Sequence, residues 1–189
     1  MSMRDRILAA AKAIFERDGL EGLSIRVVAR DVGLSPMGIY RHFPNKEALI
    51  DALMLDGFAV WEATVRAIDA PDPMAWLQRV LDAFLEFAVA DPHRFNAAFL
   101  LPARSARRYP EDFSAGRSPV VSLMIERIDE AKAAGRLVDE PSSQIALTLS
   151  ALAQGLVSME RAGRFTSEAH FRIIYTTITG GCLQRFGNA

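Results

Sequence analysis

A single cysteine, Cys182, stands in the 189 residues, which excludes an internal disulfide framework and any thiolate-rich metal centre. His93 and His170 have no second His, Cys or carboxylate at metal-ligand spacing, so no metal or other cofactor is expected. Long apolar runs are missing too. No stretch approaches the roughly 18 uncharged apolar residues needed to cross a bilayer. The opening Met1-Ser2-Met3-Arg4-Asp5 is polar and helical at once, without the apolar core and cleavage site of a signal peptide. The expectation is a soluble cytoplasmic protein, neither exported nor membrane-spanning. A charge excess is also lacking. The formal net charge is -1, so bulk charge announces no nucleic-acid partner, although an acidic remainder can hide a small basic patch. Finally, no Gly-x-Ser-x-Gly elbow, paired-carboxylate spacing or nucleotide-binding glycine loop supports an enzyme.

What is present is a balance of 50% hydrophobic and 24% charged residues, that of a globular chain with a sizeable core. The periodicity is helical throughout. Ile7, Leu8, Ala11, Ile14 and Phe15 share one helix face, and Asp18-Gly19 is predicted to end that helix. Ser24 caps a second helix that closes at Gly33, and Ser35-Pro36 opens a very short third before Pro44. Asn45 caps a fourth through Leu49, Leu53, Phe58, Trp61 and Val65. After the Ala70-Pro71-Asp72-Pro73 break, a fifth runs through Leu77, Leu81, Phe84 and Phe87, and Asp91-Pro92 restarts a sixth through Phe95 and Phe99. Residues 102–117, with scattered Arg104, Arg107 and Arg108, read as a solvated loop. Three more helices follow over 119–134, 142–162 and 167–186, the first two stopped by Gly135 and Gly163. No strand alternation and no internal repeat are visible. The predicted class is all-α, about nine helices, with domains at 1–47 and 48–189.

The stretch 23–46 carries the functional signal. Two short helices joined by a tight Val32-Gly33-Leu34 turn form a helix-turn-helix, whose second helix enters the DNA major groove. Ser35, Pro36, Met37 and Gly38 occupy the first turn of that helix, where small and apolar groups admit close approach and touch thymine methyls. Tyr40, His42 and Lys46 offer hydroxyl, imidazole and ammonium donors to phosphate oxygens. Ile39 and Phe43 point inward, toward Ile14, Phe15, Val28 and Leu49. Residues 1–46 carry eight Lys or Arg against five carboxylates, a local balance of about +3 that suits a few phosphate contacts.

Ser24-Ile25-Arg26-Val27-Val28-Ala29, Gly33-Leu34-Ser35, Gly38-Ile39-Tyr40-Arg41-His42-Phe43 and Lys46-Glu47-Ala48-Leu49-Ile50 together resemble the N-terminal domain of the tetracycline-repressor (TetR) family. The resemblance covers about residues 4–53. It implies that Arg26, Pro36, Met37 and Gly38 read bases, and that Ser24, Tyr40, His42 and Lys46 hold phosphates. Further on, Phe84-Leu85-Glu86-Phe87-Ala88, Asp91-Pro92-His93-Arg94-Phe95 and Gln154-Gly155-Leu156-Val157 resemble the regulatory domain of one branch of the family, with Gln154-Gly155 where that branch carries His-Gly. By this resemblance the last two helices pair with their mates as a four-helix homodimer interface, and the middle helices enclose a small-molecule effector.

Phe58, Trp61, Phe84, Phe87, Phe95, Phe99, Met124 and Met159 are the candidate effector-lining residues, a set favouring an apolar ligand. Gln154 and Arg127 are candidate polar handles. The expectation is a transcription repressor released from a palindromic double-stranded DNA operator by that effector. Three alternatives stand beside it: a helical enzyme, a small-molecule-binding dimer without DNA recognition, and a constitutive architectural DNA binder.

Overall fold

The computed structural model describes residues 1–101, 103 and 106–188, with nothing stated for the Ser114 side chain. Its described residues form ten helices, α1 (Met3–Gly22), α2 (Ile25–Val32), α3 (Pro36–Tyr40), α4 (Lys46–Arg66), α5 (Pro73–Ala90), α6 (Pro92–Phe99), α7 (Glu111–Ser114), α8 (Pro119–Ala133), α9 (Ser142–Arg161) and α10 (Glu168–Arg185). Among these residues there is no strand, only an isolated antiparallel bridge between Leu137 and Gly187. The all-α expectation holds.

Local hydrogen bonds explain most of the boundaries. Ser2 and Asp5 form a reciprocal capping box at the start of α1. The side chains of Ser24, Ser35, Asn45, Asp72, Asp91 and Ser167 each accept from a backbone N–H three residues on, a cap worth about 1 kcal/mol. Gly33, Gly135 and Gly163 take positive φ values of 72°, 68° and 67° just after helices, a conformation that costs glycine nothing.

Two details depart from the sequence reading. Gly19 does break the helical backbone, at φ 67° and ψ -167°, but one further turn follows to Gly22. The segment 102–117 is not all loop, because α7 forms within it. Asp112 organises that turn by accepting from the Arg108 backbone at 2.7 Å and pairing with Arg117 at 2.7 Å. Arg104 lies outside the described residues.

The described residues gather into two compact units, Met1–Val60 with 91–106, and Trp61–Ala90 with 107–188. In the first unit α1, α2, α3 and the start of α4 close over Ile7, Ile14, Phe15, Leu23, Val28, Ile39, Phe43 and Leu49, joined by Ala97 of α6. Each large side chain so buried contributes about 1.5–3 kcal/mol. Gly57 lets α6 approach α4 closely, since a Cβ there would lie 2.9 Å from the Ala98 Cβ. In the second unit α5, α8, α9 and α10 pack on one another around Leu77, Leu81, Ile128, Ile145, Leu149, Phe171 and Tyr175. The buried Tyr175 hydroxyl donates to the Leu81 carbonyl at 2.9 Å, satisfying a polar group that burial would otherwise penalise.

Candidate nucleic-acid interface

The short α3 is held between a cap and a proline stop. Ser35 accepts from Gly38 N–H at 3.2 Å, and Pro36 sits at the first helical position, where no N–H is missed. After Tyr40 the chain tightens, with His42 and Phe43 N–H both donating to the Ile39 carbonyl at 2.9 Å. Ile39 and Phe43 are the inward anchors, fully buried in the same cluster as Ile14, Phe15, Val28 and Leu49, the partners expected from the sequence.

With those anchors inward, the opposite side of α3 faces solvent. Met37 is 67% and Tyr40 45% exposed, and Ser35, Pro36, Arg41 and His42 are exposed as well. Gly38 is half-buried. A Cβ there would meet Leu34 at 3.4 Å, an ordinary contact, so packing does not demand the glycine and its effect is to leave the first turn bare. On α2, Arg26 is exposed, while Ser24 is half-buried and its hydroxyl already accepts from Val27 N–H at 3.3 Å.

Lys46 departs from a free donor. Its ammonium donates to the Leu20 carbonyl at 3.3 Å, in the extra turn that follows Gly19. The Arg4 guanidinium lies over the Phe43 ring, 4.8 Å from its centroid. Neither contact has a local sequence signal, because each joins residues far apart in the chain.

Within each unit several of the candidate effector residues make ring contacts. In the first unit Phe99 meets Phe58 edge-on at 5.1 Å and stacks on Phe95 at 5.0 Å. In the second, Trp61 meets Phe84 at 5.3 Å and Phe87 at 5.5 Å, all three buried. Met124 is buried and accepts from the Ser150 hydroxyl, whereas Met159 is 49% exposed on α9. Gln154 is half-buried. Arg127 pairs with Glu130 at 2.9 Å and covers the Trp76 ring at 5.6 Å. A shallow surface depression lies in the first unit among Lys12, Phe15, Glu16, Leu53, Asp56, Gly57, His93, Arg94 and Ala97; none of the eight candidate effector residues lines it. No group of three metal-ligating side chains occurs among the described residues, and no helix of theirs is long and apolar enough to cross a membrane.

Comparison with known proteins agrees with this geometry. Residues 7–53 match the family model described as bacterial regulatory proteins, tetR family, and residues 77–177 match that of the tetracyclin repressor-like C-terminal domain. The chain is 50% identical over 52 residues to the HTH-type transcriptional repressor DrrR1 of Streptomyces coeruleorubidus, covering 28% of this chain and 19% of that protein. It is 27% identical over 132 residues to the HTH-type transcriptional regulator Mb1846 of Mycobacterium bovis, covering 67% and 56%. The matched segments thus span between a fifth and rather more than half of these relatives' own lengths. Among solved structures, a Rhodococcus sp. RHA1 protein of unknown function superposes with TM-score 0.80 at 28% identity, covering 100% of this chain and 97% of that one. A bacterial regulatory protein in the tetR family from Rhodococcus RHA1 does so with TM-score 0.72 at 25% identity, covering 100% of both. With a helix-turn-helix at residues 24–40 and a family match over more than half its length, the chain belongs to the tetR family of bacterial regulatory proteins.

Proposed function

We propose that this regulator is a homodimeric repressor that sets two α3 helices in successive major grooves of a palindromic operator and leaves it when a small apolar effector binds. The observation that carries the reading is the polarity of α3, with Ile39 and Phe43 buried while Ser35, Pro36, Met37 and Tyr40 face outward. Ser35, Pro36, Met37, Gly38 and Arg26 read base edges in this scheme, and Ser24, Tyr40, His42 and Lys46 hold phosphates. The division of labour falls at residue 47, with recognition before it and effector binding and dimerisation after it.

Dimerisation is assigned to α9 and α10. Small or short side chains, Thr148, Ala151 and Gly155 on α9 and Thr177 and Gly181 on α10, are exposed in the single chain together with Ile173, which is 65% exposed. Such faces allow close helix packing, and a two-fold axis makes the patch its own complement. The operator half-sites then lie about 34–36 Å apart. For the effector, Trp61, Phe84, Phe87 and Met124 supply an apolar lining within the second unit. An effector releases DNA only by binding the non-DNA conformation better, and a tenfold preference is about 1.4 kcal/mol. The protein acts by binding, in the cytoplasm, without turnover of the effector.

Selection of bound sequences from a random DNA pool, followed by gel-shift titration of the winner at two salt concentrations, tests this. A palindrome with half-sites one turn apart and strongly salt-dependent affinity is expected. Failure to enrich any sequence would overturn the repressor reading in favour of a ligand-binding dimer without DNA recognition.

A further inference from the structure

We infer that Arg4, on α1, is an additional DNA-backbone contact, held ready for a phosphate by the Phe43 ring beside the end of α3. The inference rests on the reading of the exposed face of α3 as the DNA interface. The Arg4 guanidinium lies over the Phe43 ring, 4.8 Å from the centroid. Phe43 is 1% exposed and so forms a fixed platform, and the two residues before it, Arg41 and His42, are exposed. The backbone of Arg4 is fixed as well, since Ser2 and Asp5 on either side are locked in a capping box at 2.8 and 3.1 Å.

The manner of holding matters. A cation–π contact draws on the charge of the guanidinium, a group that carries five N–H donors in one plane. That planar fork matches a phosphate bidentately. Two other arginines of the same unit are spent on carboxylates, Arg17 on Asp18 at 2.7 Å and Arg94 on Asp91 at 2.9 Å, whereas Arg6, Arg26, Arg30 and Arg41, like Arg4, are in none of the ion pairs of the described residues. Arg4 is exposed and forms no ion pair among the described residues. An exposed cation over a buried ring next to α3, in no ion pair among the described residues, suits a phosphate contact.

The test is gel-shift titration of Arg4→Gln, Arg4→Lys and the Tyr40→Phe/Lys46→Ala double variant on the selected operator across a salt series, with thermal melting of each protein. Arg4→Gln is expected to weaken binding to all sequences alike and to lower the salt slope by about one unit per contacting subunit, with Arg4→Lys retaining the slope. An Arg4→Gln slope equal to the unsubstituted protein's would overturn the inference, and a lowered melting point alongside it would make Arg4 a structural residue only. If the double variant changes the slope in that case, the α3 interface stands without Arg4. If neither changes it, the interface reading fails with the inference.

Discussion

The Lys46 ammonium donates to the Leu20 carbonyl across 3.3 Å, tying the first residue of α4 to the turn that α1 makes after Gly19. A residue assigned to DNA phosphate is therefore engaged inside the protein when DNA is absent. Lys46→Gln is expected to lower stability by about 1 kcal/mol, within the range for a hydrogen bond to a charged group once exposure is allowed for, and to reduce the salt slope of DNA binding. Urea unfolding and gel-shift titration read the two effects separately. A stability loss with an unchanged slope would make Lys46 a strut between helices and nothing more.

Met37 is an exposed side chain on the first turn of α3, at 67%, so its role is open to substitution without disturbing the core. Met37→Ala should leave stability within about 0.5 kcal/mol, as surface changes do, and should alter which bases are selected more than overall affinity. Identical selected sites for both proteins would remove Met37 from the base-reading set.

Gly57 meets Ala98 where α4 and α6 cross, and an added Cβ would come within 2.9 Å of the Ala98 Cβ and 3.2 Å of the Arg94 carbonyl. Overpacking of this kind costs about 1–3 kcal/mol. Gly57→Ala should therefore shift the urea midpoint down, and adding Ala98→Gly should recover part of the loss. Additive losses in that double-mutant cycle would show that the two sites do not touch.

Tyr175 sets a limit at high pH. Burial first, and the negative charge of Asp82 second, push its phenol well above the ordinary tyrosine range. The folded state thus holds this proton more tightly than the unfolded state does. Its contribution is complete below the unfolded value of about 10 and is lost as pH rises above that value. Stability should fall above about pH 10, and Tyr175→Phe should flatten that fall while costing about 1 kcal/mol at neutral pH through loss of the bond to Leu81. An equally steep alkaline fall in Tyr175→Phe would assign it to other groups.

The helices and the reading head were legible in the residues because their determinants are local. A serine, asparagine or aspartate accepts from an N–H three positions on, and a glycine turns left-handed where the helix ends; neither depends on the rest of the chain. The spacing of Ile39 and Phe43 likewise settled which side of α3 is buried, and hence which side is left to solvent.

What only the tertiary structure decided are the meetings of residues far apart in sequence: Lys46 with Leu20, Arg4 with Phe43, Gly57 with Ala98, Tyr175 with Leu81. Tertiary packing also put 91–106 in one unit with the helix-turn-helix, and set Phe99 against Phe58 and Phe95, and Trp61 against Phe84 and Phe87. Periodicity reports only that a side chain is buried. Which neighbour it is buried against depends on helix crossings, and those follow from the shapes of many side chains at once.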